Sequence, residues 1–296
     1  MGHCREKKKC DRKCKNVNPK CKNVNPSEPG PNDVGFIETD VELVNGISKV
    51  VIWYPVKQGF CPRWKQNNVD ASKTYKTFTN NFFTFFEPST PFEFPSVLKA
   101  EKDAEIKSGR FPLNIIIHGG LVSSAEDPSY AFAFARTSEF LASHGIISVG
   151  FSNLIEGPEG AEDISALITY MQNSFIFSSS VDESKTVVIG FSSGSQPAMA
   201  VSGAWSDQTY VDSRVKALIN IEGLTVEDEP GSYVDLKVPS LYFGRDVAPI
   251  IPGVYNFNST MDVATKSNPR YYLNIEKSGH LSYETSRPYM LSLIHI

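Results

Sequence analysis

The sequence contains no apolar run near the roughly 18 to 20 residues that a membrane-spanning helix needs. Its start, MGHCREKKKC, is basic but has no apolar stretch behind it, so neither a membrane span nor a signal peptide is visible. Met1-Gly2 begins like a myristoylation site, yet Glu6 stands where Ser or Thr is required. Cysteine is scarce where it would matter for a fold. Cys4, Cys10, Cys14 and Cys21 crowd the first residues and leave Cys61 alone in the body, which excludes a disulfide within the body. The spacings near the start do not match a two-plus-two Cys/His zinc pattern, and no metal is expected. Cationic surface is also lacking beyond the start. Residues 1–26 carry nine Lys/Arg against two acids, leaving twenty against thirty-one for the rest. A body that acidic does not favour a nucleic-acid backbone as ligand.

What the sequence does have is core material, with 41% hydrophobic and 11% aromatic residues over 296 positions. That is enough for one catalytic-sized domain plus a tail. Residues 1–33 read as a basic, Cys/Lys-rich tail. It holds the tandem heptapeptide KCKNVNP at 13–19 and 20–26, too short and too polar for a repeat core. The domain is expected over 34–296. VELVNGISKVVIWYPV reads as a hairpin around Asn45-Gly46. Residues 57–110 form an irregular insert rich in Phe, Tyr, Pro and Lys. Beyond it, five short apolar runs of β-branched and aromatic residues alternate with helical stretches. That pattern predicts an α/β class, with a mostly parallel central sheet covered by helices on both faces and an N-terminal antiparallel hairpin. Ligands of such sheets bind beyond the carboxyl ends of the strands. Those ends read HGG, GFSSG, IEG, GRD and SGH.

Gly190-Phe191-Ser192-Ser193-Gly194 follows the apolar run 186–189 and precedes a helical stretch around 198–200, the context a nucleophile elbow requires. A neutral serine hydroxyl needs a base to accept its proton. Of the five histidines, His3 lies in the tail and His295 at the extreme C-terminus. His144 reads as a helix-end residue, and His118 belongs with the glycines after it. His280, in Ser278-Gly279-His280 after the last expected strand, is left as the base. His118-Gly119-Gly120 reads as an oxyanion loop ending the third strand, with the backbone N–H groups of Gly120 and Ser193 as donors. Two carboxylates could orient the base: Asp246, after the run 241–244, and Glu222, after 217–221. Asp246 is favoured and Glu222 is the alternative.

Taken together, LASHG, the strand ending GFSSG behind Val181-Asp182, VPSLYFGRDVAP and SGHLSYE resemble the platelet-activating-factor acetylhydrolase and dienelactone-hydrolase-like branch of the α/β-hydrolases, which includes cutinase-like polyester hydrolases. The resemblance spans roughly residues 48–286. It implies a cofactor-free esterase or lipase acting on short or oxidised acyl chains or on polyester-like esters, with Ser192 as nucleophile, His280 as base and the oxyanion bound at Gly120 and Ser193. Two departures stand out: Phe191 replaces the usual His before the nucleophile, and Ser195 replaces a second glycine after the elbow. Chlorophyllase-like or thioester cleavage on the same fold is the alternative chemistry, and a non-catalytic binding protein the alternative class. The insert aromatics Phe82, Phe83, Phe85, Phe86, Phe92 and Phe94 either pack the insert or present an apolar face to a lipid or polymer surface.

Overall fold

The computed structural model describes residues 29–57, 100–120, 128–153, 155–245 and 257–276. Most of the insert, all five cysteines, His3, His295, Asp246 and His280 lie outside these ranges. Among the described residues, nine strands form one sheet: β1 (Val34–Leu43), β2 (Gly46–Pro55), β3 (Glu101–Lys102), β4 (Phe111–Ile117), β5 (Ile147–Phe151), β6 (Val181–Phe191), β7 (Val215–Ile221), β8 (Ser240–Arg245) and β9 (Arg270–Ile275). Their order is β3-β1-β2-β5-β4-β6-β7-β8-β9. β2 runs antiparallel to both neighbours, and every other pairing is parallel. The class is α/β, with a mostly parallel sheet and an N-terminal antiparallel hairpin, as the alternation of apolar runs and helical stretches predicts.

The central strands β4 and β5 are buried on both faces because helices cover both. Leu113, Ile115 and Ile117 of β4 point into one core with Ile164, Leu167, Ile168 and Met171 of helix α2 (Gly160–Asn173) and with Ala198 to Val201 of helix α3 (Ser195–Ser202). Ile116 points the other way, into a second core with Trp53, Phe134, Ile189 and Phe191. Helix α1 (Ala135–Ser143) contributes Ala135 and Ala142 to that second core. A short helix, α4 (Asn258–Val263), precedes β9.

Three details differ from the sequence expectation. The hairpin pairs Leu43 with Gly46, so its two-residue turn is Val44-Asn45, one position earlier than Asn45-Gly46. The buried carboxylate of Asp163 in α2 sets that register, accepting the Asn45 backbone N–H at 3.0 Å and its Nδ2 at 3.1 Å. The described end of the insert is not irregular throughout. Glu101–Lys102 pair with β1, and Ile106 bridges Val56, so the HGG strand is fourth in chain order rather than third. Residues 29–33, assigned to the tail on sequence, lie along the end of α1. Gly30 N–H donates to Ser143 Oγ at 2.8 Å, and Asn32 donates to Ser143 O from its backbone N at 3.1 Å and its Nδ2 at 2.8 Å.

Candidate active site

The connection leaving β4 carries the chain to β5 on one side, whereas the one leaving β6 carries it to β7 on the other. A crevice opens where connections diverge like this beyond the carboxyl ends of adjacent strands, and it is where open α/β sheets bind ligands. The residues that follow β4 and β6 are His118-Gly119-Gly120 and Ser192-Ser193. Topology therefore brings the two sequence motifs together at the switch point.

Ser192 leaves β6 with φ of +53°, a left-handed conformation that strains a residue carrying a Cβ by about 1–3 kcal/mol. It opens a single 3-10 turn, Ser192–Gly194, that runs directly into α3. Close packing holds the turn in place. A Cβ at Gly190 would lie 2.6 Å from Ser195 Cα, and one at Gly194 would collide with the carbonyl oxygens of His118 and Ile117. Both flanks must be glycine because the turn is wedged between its own helix and the neighbouring strand. The HGG segment lies against the same turn, since a Cβ at Gly119 would come within 2.6 Å of Ser192 Cβ. Ser192 itself is half-buried, as are Ser193 and Gly120.

His118 is buried, its ring 4.7 Å from that of Tyr130 between centroids and tilted by 32° to it. Its Nδ1 lies 2.8 Å from Gly119 O and its Nε2 3.3 Å from Ser152 O. Burial pushes the imidazole below its ordinary pKa, against the pull of those two carbonyls, so it is neutral at pH 7. A neutral ring donates only once. We place its proton on Nδ1, the shorter contact. Gly119 C=O and Gly120 N–H belong to one trans peptide and point opposite ways, so anchoring the oxygen aims the N–H. The group that meets it is Ser193. Gly120 N–H donates to Ser193 Oγ at 3.1 Å, and the same hydroxyl donates back to Gly120 O at 3.1 Å.

Glu222 steps off β7 beside the serine, because Phe191 and Ile221 are register partners. It is fully buried, also has a left-handed backbone with φ of +48°, and donates its N–H to Phe243 O of β8 at 2.9 Å. The loop behind it is tied down by groups that sequence reasoning missed. Asn220 Oδ1 accepts Gly223 N–H at 3.0 Å, Ser195 Oγ accepts Leu224 N–H at 3.1 Å, and Tyr233 OH donates to Leu224 O at 2.6 Å while accepting from Asn220 Nδ2 at 2.7 Å. A Cβ at Gly223 would collide with Ser195. A polar Asn at a buried position near the end of a mostly apolar strand was the one signal available for this network.

Phe191 is a core residue, packed edge-on against Phe134 at 5.5 Å between centroids. Ser195 has room beside the facing loop because Gly223 stands opposite it. Of the remaining sequence candidates, His144 caps the end of α1 and lies against Phe140, away from the crevice. Asp246, immediately after β8, and His280, after β9, fall outside the described residues. No family model matches the chain, and no curated protein matches it. Among the described residues, no group of His, Cys, Asp and Glu side chains gathers to hold a metal ion, and no helix is long and apolar enough to cross a membrane. The arrangement can present a hydroxyl on a rigid turn, backed by peptide N–H groups from two adjacent strand ends.

Proposed function

We propose that this chain is a serine hydrolase of the α/β-hydrolase fold that cleaves carboxylic esters through an acyl-enzyme on Ser192. The observation that carries the reading is the left-handed backbone of Ser192 between a strand and a helix, flanked by glycines that nothing larger could replace. Strain of this kind persists where surrounding packing over-determines it, and it clusters at reacting residues. The sheet order, with one antiparallel strand near its start and a switch point between β4 and β6, supports the same fold.

In this reading Ser192 Oγ attacks the ester carbonyl while His280 takes its proton, and the carbonyl oxygen becomes an anion facing the N–H groups of Gly120 and Ser193. Each such donor is worth on the order of 3 kcal/mol to the barrier. The tetrahedral intermediate collapses, His280 returns the proton to the departing alcohol, and a water activated by the same base releases the acid. Asp246 orients His280. A second reading of the acid is favoured by the burial and strained backbone of Glu222 beside the nucleophile. No cofactor takes part. The family resemblance points to short or oxidised acyl esters or polyester-like substrates, with chlorophyllase-like or thioester cleavage as the alternative and a lipid or polymer surface as a peripheral partner.

A fluorophosphonate probe tests the reading directly. The native protein should be labelled on the peptide containing Ser192 and hydrolyse p-nitrophenyl esters, while Ser192→Ala loses label and at least about 10³-fold of the rate. A folded native protein that takes no label would be the non-catalytic binder instead.

A further inference from the structure

We propose that the hydroxyl of Ser193 is a positioning residue that plugs the oxyanion site in the resting protein and yields to the transition state but not to the bound ester. The proposal rests on the esterase reading and deepens it. The Gly120 N–H, one of the two donors that must face the oxyanion, is given to Ser193 Oγ at 3.1 Å. That oxygen therefore occupies the place beside Gly120 N–H that the oxyanion would take. It is held there by its own donation to Gly120 O at 3.1 Å.

A purely structural role does not account for the clasp. Gly120 and Ser193 are half-buried, and water could satisfy a donor at such a site at little cost. What the hydroxyl adds is competition. A neutral ester carbonyl arriving at Gly120 N–H would exchange one neutral hydrogen bond for another of similar strength, gaining nothing. An oxyanion makes a charge-assisted bond about twice as strong and displaces the hydroxyl. The plug therefore withholds one contact from the bound ester, and only the anion's stronger bond repays its displacement. His118 contributes by fixing the peptide plane from its far side, through Nδ1 and Gly119 O.

Rapid-mixing acylation of the full chain by p-nitrophenyl butyrate separates the dissociation constant of the ester from the acylation rate constant. Removing the hydroxyl in Ser193→Ala leaves both backbone donors and lets the ester carbonyl take Gly120 N–H on binding. The dissociation constant should fall about three- to tenfold, as one net hydrogen bond implies, while the rate constant stays within about twofold. Ser193→Thr keeps the hydroxyl and should show no tightening of the dissociation constant. An unchanged or weaker dissociation constant with a slower rate constant in Ser193→Ala overturns the proposal, because the hydroxyl would then be a donor or a scaffold. An equal tightening in Ser193→Thr also overturns it. Circular dichroism reports folding, and if Ser193→Ala does not fold, Ser193→Gly removes the same hydroxyl and carries the comparison. A parent that never acylates refutes the esterase reading itself, an outcome distinct from each of these.

Discussion

Ser192 holds a left-handed backbone that its Cβ opposes, and Glu222 does the same one strand away. Strain at the residue proposed as nucleophile is a stability cost, so it can be measured by relieving it. In the middle of a helix or strand glycine is less stable than alanine by roughly 0.5–1 kcal/mol. At φ of +53° the order reverses, because glycine has no Cβ to strain. Ser192→Gly should therefore unfold in urea with about 1 kcal/mol more stability than Ser192→Ala. Both variants lack the hydroxyl, so the difference isolates the backbone. A glycine variant less stable than the alanine variant would remove the strain argument from the elbow. At this scale the sequence was informative about where Ser192, Ser193 and Gly120 come together, because a strained strand-to-helix turn and a loop packed against it both need glycine at fixed places beside one polar residue. The plug on Gly120 was not legible, since which acceptor meets a peptide N–H depends on the rotamer of a side chain 73 residues away.

Between elements, the strand ends bring the candidate residues together. β4, β6 and β7 end side by side and deliver HGG, the serine and Glu222 to one edge of the sheet. Apolar runs were enough to predict these strands because a parallel sheet covered on both faces asks for nothing but β-branched and aromatic residues. They were not enough to find Glu101–Lys102, whose two residues have no period. Nor could they reveal the tether of Asn220, Gly223, Ser195 and Tyr233, which joins β7, α3 and the loop beyond β7 through contacts remote in sequence. That tether bears on the choice of acid. A rigid loop with a buried carboxylate is what an orienting acid needs, yet the same rigidity serves to brace the elbow from the next strand. We assign orientation to Asp246 and bracing to Glu222. Asp246→Asn should then lower turnover by roughly 10⁴-fold with folding intact, since the wrong imidazole tautomer is favoured. Glu222→Gln should cost far less in turnover. Steady-state rates of the two variants decide the matter, and the reverse order would move the acid to β7.

For the molecule as a whole, charge and contacts divide the chain differently. Charge places a boundary near residue 26, where the excess of Lys/Arg ends, and the apolar pattern starts at Val34. The contacts begin between the two. Ser143 is the last residue of α1, and its carbonyl is one of the helix-end acceptors that no intrahelical N–H can reach. Asn32 fills it twice over, Gly30 takes the Ser143 hydroxyl, Asp33 O accepts Val56 N–H at 3.0 Å, and Lys107 Nζ donates to Asn32 Oδ1 at 2.6 Å. This stretch has no apolar periodicity, which is why a hydrophobic reading of the sequence put it in the tail. Two truncations separate the charge boundary from the contact boundary. Deleting residues 1–28 should leave the thermal midpoint and the turnover of soluble esters unchanged, because the deleted segment offers no apolar face to dock. Deleting residues 1–33 removes a cluster of hydrogen bonds worth about 0.5–1.5 kcal/mol each and uncovers the end of α1. The domain should lose roughly 2 kcal/mol, a drop of about 4–8 °C at its size. Equal midpoints for the two truncations would show that the hydrogen bonds to Ser143 and Val56 add nothing beyond what water supplies, and would return the boundary to Val34.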